Sequence, residues 1–129
     1  MTNFATTHAG NVDPAELERF ARLADDWWNP NGKFKPLHKI GPARLGFIRD
    51  RATAHFKLQQ RGLRPFAGLS MLDIGCGGGL ISEPLARLGA TVTGIEPAES
   101  NIGAAIRHAA QTGLTIDYRA VTAEDLTAE

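Results

Sequence analysis

The chain contains 129 residues, 43% of them hydrophobic, and its net charge is zero because 14 Lys and Arg residues balance 14 Asp and Glu residues. This length predicts one domain with a hydrophobic core, and the apolar runs are too short to cross a membrane. Residues 1–10 lack the basic flank and apolar segment of an export signal, and Cys76 is the only cysteine, so we expect a cytoplasmic protein without an intrachain disulfide.

The first predicted helix begins at Pro14. Asp13 is a favourable N-cap residue, proline suits the first helical position, and the helix should run to about Trp28. Apolar residues at helical spacing form one stripe along it: Leu17, Phe20, Ala21, Ala24, Trp27 and Trp28. Such a stripe usually packs into the core, but the tryptophan pair could also cover a cofactor.

Residues 33–40 have no clear period, and the breakers Pro36 and Pro42 lie in and just after them, so we predict an ordered loop. A second helix should begin near Pro42 and end near Gln60. Its predicted inner face consists of Leu45, Ile48, Ala52, His55, Phe56 and Gln59.

Basic residues are concentrated in residues 33–64, where Asp50 is the only acid. Nine of the fourteen cations lie there: Lys33, Lys35, Lys39, Arg44, Arg49, Arg51, Lys57, Arg61 and Arg64. One interpretation is a solvated helix face. The other is a surface for an anionic partner, either membrane lipid or nucleic acid.

From residue 70 onward the pattern alternates between strand and helix. We predict strands at 70–75, 90–95 and 115–121 and helices at 80–88 and 98–112, with Gly89 and Gly113 as helix ends. Right-handed crossovers then give a parallel sheet in the strand order 3-2-1. The first strand lies at an edge of this sheet, although its apolar run, residues 71–74, is typical of a strand buried on both faces.

A glycine cluster follows the first strand. The dinucleotide-binding pattern G-x-G-x-x-G fails because Leu80 occupies its third glycine position. The pattern that fits is acid-x-G-x-G-x-G, formed by Asp73, Gly75, Gly77 and Gly79, and it resembles the first motif of S-adenosylmethionine-dependent methyltransferases. Cys76 lies inside this turn with no evident base, so we interpret it as a small packing residue and not as a nucleophile.

Glu96 ends the second apolar run, 21 positions after Gly75. In folds of this class an acid at the tip of the second strand accepts both ribose hydroxyls of the ligand, and its two oxygens suit a vicinal diol. The alternative is a solvated glutamate that caps the next helix. Motif and spacing together favour the ribose.

Residues 27–45, WWNPNGKFKPLHKIGPARL, resemble the N-terminal signature of the ubiquinone biosynthesis O-methyltransferase family, and the resemblance continues from about Val12 through Glu96 to residues 122–126. It implies transfer of a methyl group from S-adenosylmethionine to a phenolic oxygen of a polyprenyl catechol. It also implies that the cofactor is bound by Arg44, Asp73, Gly75, Gly77, Glu96 and Asp125. Glu96 matches a position where the family commonly has aspartate, Arg44 suits the cofactor's carboxylate, and Asp125 or its neighbours would lie near the adenine amino group.

The same resemblance implies an α/β, Rossmann-like class I S-adenosylmethionine-dependent methyltransferase fold, truncated after the third strand. Residues 1–64 would form an N-terminal helical extension, and residues 65–129 the first half of the cofactor-binding domain. We therefore expect the 129-residue chain alone to be inactive, with the catalytic base and most of the substrate pocket beyond Glu129. The polyprenyl substrate suggests peripheral contact with an anionic inner membrane.

The histidines are candidate bases only by residue type. His38 ranks first because it lies in the signature, but it is not assigned as catalytic, and the catalytic residue stays unknown. His55 is expected at the edge of the core and His108 on an exposed face. No Cys, His and Asp cluster has metal-ligand spacing. Two other functions stay open: a different class I methyltransferase, acting on a small molecule or nucleic acid, and a non-catalytic cofactor-binding fragment.

Overall fold

The computed structural model describes residues 13–58 and 62–128, so the predicted roles of Gln59 and Arg61 lie outside the described residues. The helices are α1 (Pro14–Trp28), α2 (Lys35–His55), α3 (Ser82–Arg87), α4 (Glu99–Thr112) and α5 (Ala123–Thr127). The strands are β1 (Ser70–Ile74), β2 (Thr91–Ile95) and β3 (Asp117–Arg119). The predicted alternation of strand and helix is confirmed, with β3 shorter than expected.

The three strands form one parallel sheet in the order β1-β2-β3, as the crossovers predict. Ser70 pairs with Thr91, and Gly94 pairs with Tyr118, so β2 lies in the centre. The prediction that the first strand is buried on both faces is wrong, because Leu72 is 48% and Ile74 is 63% exposed. Both lie on β1, which is an edge strand of the described sheet.

Helix α1 begins as predicted: the Asp13 carboxylate accepts a hydrogen bond from the Ala15 N–H at 2.9 Å. Its buried residues are Phe20 and Ala24, and the helix packs against α4. Close approach is possible there because Gly103 has no side chain; a Cβ at that position would lie 2.6 Å from Phe20 Cδ1. One hydrophobic cluster therefore joins α1, the glycine turn, α4 and β3: Phe20, Cys76, Ile102, Ala105, Ala109 and Tyr118.

The predicted loop at residues 33–40 is wrong, because α2 already begins at Lys35. Pro36 lies in the first turn, where a backbone N–H would not form a hydrogen bond within the helix, so its absence costs nothing. Pro42 lies inside the helix, which therefore lacks one backbone hydrogen bond. The helix also ends earlier than predicted, at His55. Its apolar residues Leu45, Ile48 and Ala52 pack against a second cluster formed by Phe66, Leu85, Ala90 and Val92.

The prediction that His55 and Phe56 belong to the inner face of α2 is wrong, because both residues are exposed. The helix lies at the periphery, and none of its residues is fully buried. None of the helices in the described ranges combines the length and apolarity that a membrane crossing requires. The division of the chain at residue 64 stays a prediction.

Candidate functional site

The glycine turn connects β1 to α3 and forms the floor of the site. Gly75 and Gly77 have φ values of 74° and 53°, in the left-handed region that side chains other than glycine rarely adopt. The N–H groups of Gly75 and Cys76 both donate to the carbonyl of Ile95, at 2.8 and 3.0 Å. The turn is thereby tied to the carboxyl end of the central strand, where open α/β sheets bind their ligands.

The tryptophan pair of α1 packs directly on this turn. A Cβ at Gly77 would lie 2.6 Å from Trp27 Cη2, and a Cβ at Gly78 would collide with the same ring. Trp28 Nε1 donates to the Gly78 carbonyl at 3.0 Å, and Trp27 Nε1 donates to Asn101 Oδ1 at 3.2 Å. Position 78 therefore has to be glycine because a side chain there would collide with Trp27. The motif does not predict this, since Gly78 is not one of its glycines.

A pocket of about 340 Å³ lies between the tryptophan pair, α2 and the glycine turn. Four of the six predicted cofactor residues line it: Arg44, Asp73, Gly75 and Gly77. Arg44 reaches it from α2, so residues far apart in the chain meet in one cavity. The other lining residues are Trp27, Trp28, Leu37, His38, Gly41, Pro42, Leu45, Ile74, Cys76, Leu80, Ile81 and Pro84.

Glu96 and Asp125 do not line this pocket. Glu96 follows β2, and its Oε2 accepts the N–H of Ala98 at 2.9 Å, which is the capping contact considered as the alternative to ribose binding. Asp125 is exposed in the first turn of α5, where its N–H donates to Thr122 Oγ1 at 3.0 Å. The cofactor roles of both residues stay predictions.

Burial shifts the pKa of two titratable groups that line the pocket. Burial raises the pKa of Asp73 above its ordinary value of 3.8, although the Ser82 hydroxyl, which donates to Oδ2 at 2.6 Å, and the nearby Arg44 charge both oppose this shift. Burial, followed by the charges of Asp73 and Glu96, raises the pKa of the Cys76 thiol to about 12. Cys76 is therefore protonated at neutral pH, in agreement with its interpretation as a packing residue.

A buried carboxylate beside the site escaped sequence analysis. The side chain of Glu83 is fully buried and accepts hydrogen bonds from His108 Nδ1 at 2.5 Å, Arg87 at 3.1 Å and Thr112 Oγ1 at 3.1 Å. The expectation that His108 is exposed is wrong, since its side chain is only 18% exposed. The Glu83–Arg87 spacing of four is visible in the sequence, but the contact between α3 and α4 is not.

Metal ligation has no support in the described residues, which contain no group of three or more His, Cys, Asp or Glu side chains that could hold an ion. Among the lining groups, Arg44 supplies a positive charge, Asp73 a carboxylate and His38 an imidazole. Together with the open backbone at Gly75, these groups suit a small zwitterionic ligand.

The sequence is similar to those of known methyltransferases. Residues 71–129 match the family model described as a methyltransferase domain. The ubiquinone biosynthesis O-methyltransferase of Rhizobium etli (strain CIAT 652) is 56% identical over 115 residues, 89% of this chain and 46% of the relative. The enzyme of the same name from Parvibaculum lavamentivorans is 57% identical over 118 residues, covering 92% and 47%.

Solved structures share the fold. Magnesium protoporphyrin IX methyltransferase from Synechocystis PCC 6803, with SAH bound, aligns with a TM-score of 0.52 at 21% identity, over 92% of this chain and 51% of that protein. The plantazolicin methyltransferase BamL aligns with a TM-score of 0.54 at 18% identity, over 88% and 42%. They confirm the predicted α/β methyltransferase fold. The chain spans about half the length of the curated relatives it matches. Residues 71–129 are therefore similar to a methyltransferase domain, and the chain is similar, over about half of their length, to the ubiquinone biosynthesis O-methyltransferases.

Proposed function

We propose that the natural polypeptide containing this chain is an S-adenosylmethionine-dependent O-methyltransferase of ubiquinone biosynthesis. Its substrate would be a phenolic hydroxyl of a polyprenyl catechol or demethylubiquinol. The observation that carries this proposal is the convergence of Arg44, Asp73 and Gly75 on one pocket, in a chain 56% identical to enzymes of that name.

The pocket fits the methionine end of the cofactor. A Cβ at Gly75 would meet no heavy atom within 4 Å, so a ligand can approach the backbone there. Arg44 suits the cofactor's carboxylate, and Asp73 suits its ammonium group, because each pair combines opposite charges with hydrogen bonding. A volume of about 340 Å³ also lies within the range of small-molecule sites.

Glu96 and Asp125 extend this binding mode toward the nucleoside. The bond from Ala98 occupies Glu96 Oε2, so Oε1 is the oxygen that this contact leaves for the ribose. Asp125 would lie near the adenine amino group.

The chemistry needs little from the protein beyond binding and orientation. The bound cofactor supplies a methyl group on a positively charged sulfur, which is already electrophilic. Arg44, Asp73 and the glycine turn would hold that group in line with the phenolic oxygen. The tryptophan pair covers the turn and would exclude water from this end of the site.

Calorimetric titration with S-adenosylmethionine tests the cofactor site. A charge-assisted hydrogen bond is worth about 1.5–3 kcal/mol, so Glu96→Gln should weaken binding about tenfold or more. Glu99→Gln is the matched control, because Glu99 is exposed on the neighbouring turn. Unchanged affinity of Glu96→Gln for S-adenosylmethionine would show that Glu96 does not bind the cofactor.

Methyl transfer from labelled cofactor tests the substrate class. We expect transfer to a polyprenyl catechol and none to RNA. Transfer to RNA would favour a nucleic-acid methyltransferase, and cofactor binding without transfer to either would favour a non-catalytic role.

We further propose that α2 brings the protein to an anionic membrane surface from the cytoplasmic side. Exposed cations on α2 accompany exposed apolar side chains: Ile40 is 48% and Phe47 is 61% exposed, and Arg51 lies over the Phe47 ring at 5.2 Å. Each basic residue near such a surface contributes about 1 kcal/mol of attraction.

Sedimentation with anionic and neutral vesicles at two salt concentrations measures this attraction. Arg49→Glu with Arg51→Glu should reduce binding to anionic vesicles, whereas Arg19→Glu with Arg22→Glu on α1 should not. Equal binding to both vesicle types would contradict the proposal, as would binding that salt does not weaken.

A further inference from the structure

We propose that His38 is the general base that removes the proton from the phenolic hydroxyl. This inference rests on the proposed O-methyltransferase function and adds a catalytic residue to it. It replaces the expectation that the catalytic base lies beyond Glu129. His38 lies in the first turns of α2 and lines the pocket that also contains Arg44, Asp73 and Gly75.

The hydrogen bonding of His38 determines its tautomer. Nε2 lies 2.8 Å from the backbone carbonyl of Trp27. A carbonyl oxygen only accepts, so Nε2 carries the hydrogen and donates it. The neutral ring then has its lone pair on Nδ1, which has no hydrogen-bond partner among the described residues. A backbone carbonyl thus orients this imidazole with a free basic nitrogen.

The other titratable groups that line the pocket cannot take this role. Arg44 is permanently cationic. The Cys76 thiol is protonated at neutral pH, because burial raises its pKa to about 12, and a thiol is not a base. Asp73 accepts the Ser82 hydroxyl at 2.6 Å and is the counter-charge for the cofactor's ammonium group in the proposed binding mode. Of the lining groups, His38 remains.

The step balances without a further reactant. The phenolic O–H proton moves to Nδ1 of His38, which becomes an imidazolium held by the Trp27 carbonyl. The oxygen lone pair forms the new bond to the methyl carbon while the carbon–sulfur bond breaks, and the electron pair of that bond stays on sulfur as a neutral thioether. The imidazolium then releases its proton to water.

Substrate acidity distinguishes a base from a residue that only packs. His38→Gln keeps an N–H group able to donate to the Trp27 carbonyl but has no basic nitrogen. A positioned general base contributes about 10²–10⁴-fold, so kcat for a catechol of ordinary acidity should fall at least about 100-fold with little change in KM. For a nitrocatechol that is already ionised at the assay pH, the loss should shrink to a factor of about three or less.

The matched control is His55→Gln, the same substitution at the other end of α2, where the side chain is exposed and lies outside the pocket. It should leave both rates unchanged. Equal losses on the two catechols in His38→Gln, or no loss on either, would overturn the assignment.

The assays use the complete natural polypeptide that contains this chain, so its own turnover separates the two proposals. If the unmutated protein methylates neither catechol, the proposed function fails and this inference falls with it. If it methylates both, the proposed function stands, and comparing the decreases in kcat of His38→Gln on the two catechols tests the role of His38 separately. Nitrogen-15 NMR of the unmutated protein provides a check that does not depend on folding of the variant. We expect protonated Nε2 and unprotonated Nδ1 for His38, and the opposite tautomer would overturn the inference.

Discussion

The indole ring of Trp28 stacks on the imidazole of His108, with ring centroids 3.8 Å apart and an angle of 2° between the ring planes. His108 in turn contacts the buried Glu83 carboxylate, while Trp28 Nε1 donates to the Gly78 carbonyl. A continuous chain of contacts thus connects α3 and α4 to the glycine turn through a residue of α1. These contacts join α1 to the glycine turn and to α4.

Glu83→Gln should therefore destabilise the protein. Glu83 accepts three hydrogen bonds while fully buried, and hydrogen bonds to charged groups are worth about 1.5–3 kcal/mol each. Because Arg87 is 48% exposed and can turn toward water, we expect a loss of about 2–3 kcal/mol and not the sum of three bonds. Denaturant unfolding measures it. Glu18→Gln is the control: Glu18 and its partner Arg22 are both exposed, so it should change stability by less than about 1 kcal/mol.

Gly78→Ala should displace Trp27. The added Cβ would collide with the indole ring, and overpacking of this kind costs about 1–3 kcal/mol. Since Trp27 lines the pocket, cofactor affinity should fall together with stability, and tryptophan fluorescence should report the moved ring. Gly46→Ala on α2 introduces the same methyl group where no heavy atom lies within 4 Å. That control should be neutral or stabilising by about 0.5–1 kcal/mol, because alanine favours helix.

Asp73→Asn should weaken cofactor binding and should increase stability at neutral pH but not at low pH. Burial raises the pKa of Asp73, so ionising this carboxyl is harder in the folded protein than in the unfolded chain, where the pKa is near 3.8. Wild-type stability therefore decreases as the pH rises from the unfolded-state pKa to the raised, folded-state pKa, whereas the amide does not titrate. The variant keeps an oxygen for the Ser82 hydroxyl, and it should be more stable than wild type at pH 7 and equal to it below pH 3.8.

Thermal unfolding across this pH range measures the difference between the two proteins, and cofactor titration at pH 7 should show weaker binding by the variant. Asp50→Asn, at a carboxyl whose side chain is 75% exposed, provides the control without a burial cost. A stability difference between wild type and Asp73→Asn that stays constant from pH 3 to pH 7 would contradict a burial cost on the ionised Asp73 carboxylate.

Cys76 should resist alkylation in the folded protein. Iodoacetamide reacts with the thiolate, and a thiol with a pKa of about 12 that is only 6% exposed has almost none available at pH 8. Mass spectrometry should find no adduct on the native protein and rapid modification in guanidinium chloride. Equal rates in the two conditions would mean that the glycine turn opens readily or that Cys76 is not buried.

The sequence by itself determined the features that depend on neighbouring residues. Asp13 and Pro14 predict the start of α1, and the apolar runs separated by helical segments predict the parallel strand order, because crossovers have one handedness. The acid and glycines at residues 73–79 predict a ligand-binding turn, since few other residues tolerate positive φ there. Resemblance to a family, and not periodicity, singled out Arg44 as a pocket residue.

Only the tertiary structure decided which distant residues meet. Local rules placed a loop at residues 33–40, although a proline in the first turn of a helix costs nothing and the helix begins at Lys35. Local rules also placed His108 on an exposed face, because nothing near it in the chain indicates that Trp28 covers its ring. The carboxylate of Glu83 can be fully buried because hydrogen-bond donors from α3 and α4 surround it. Such convergence depends on how helices pack against a sheet, and hydrophobic periodicity within one helix does not encode which polar groups its neighbour presents.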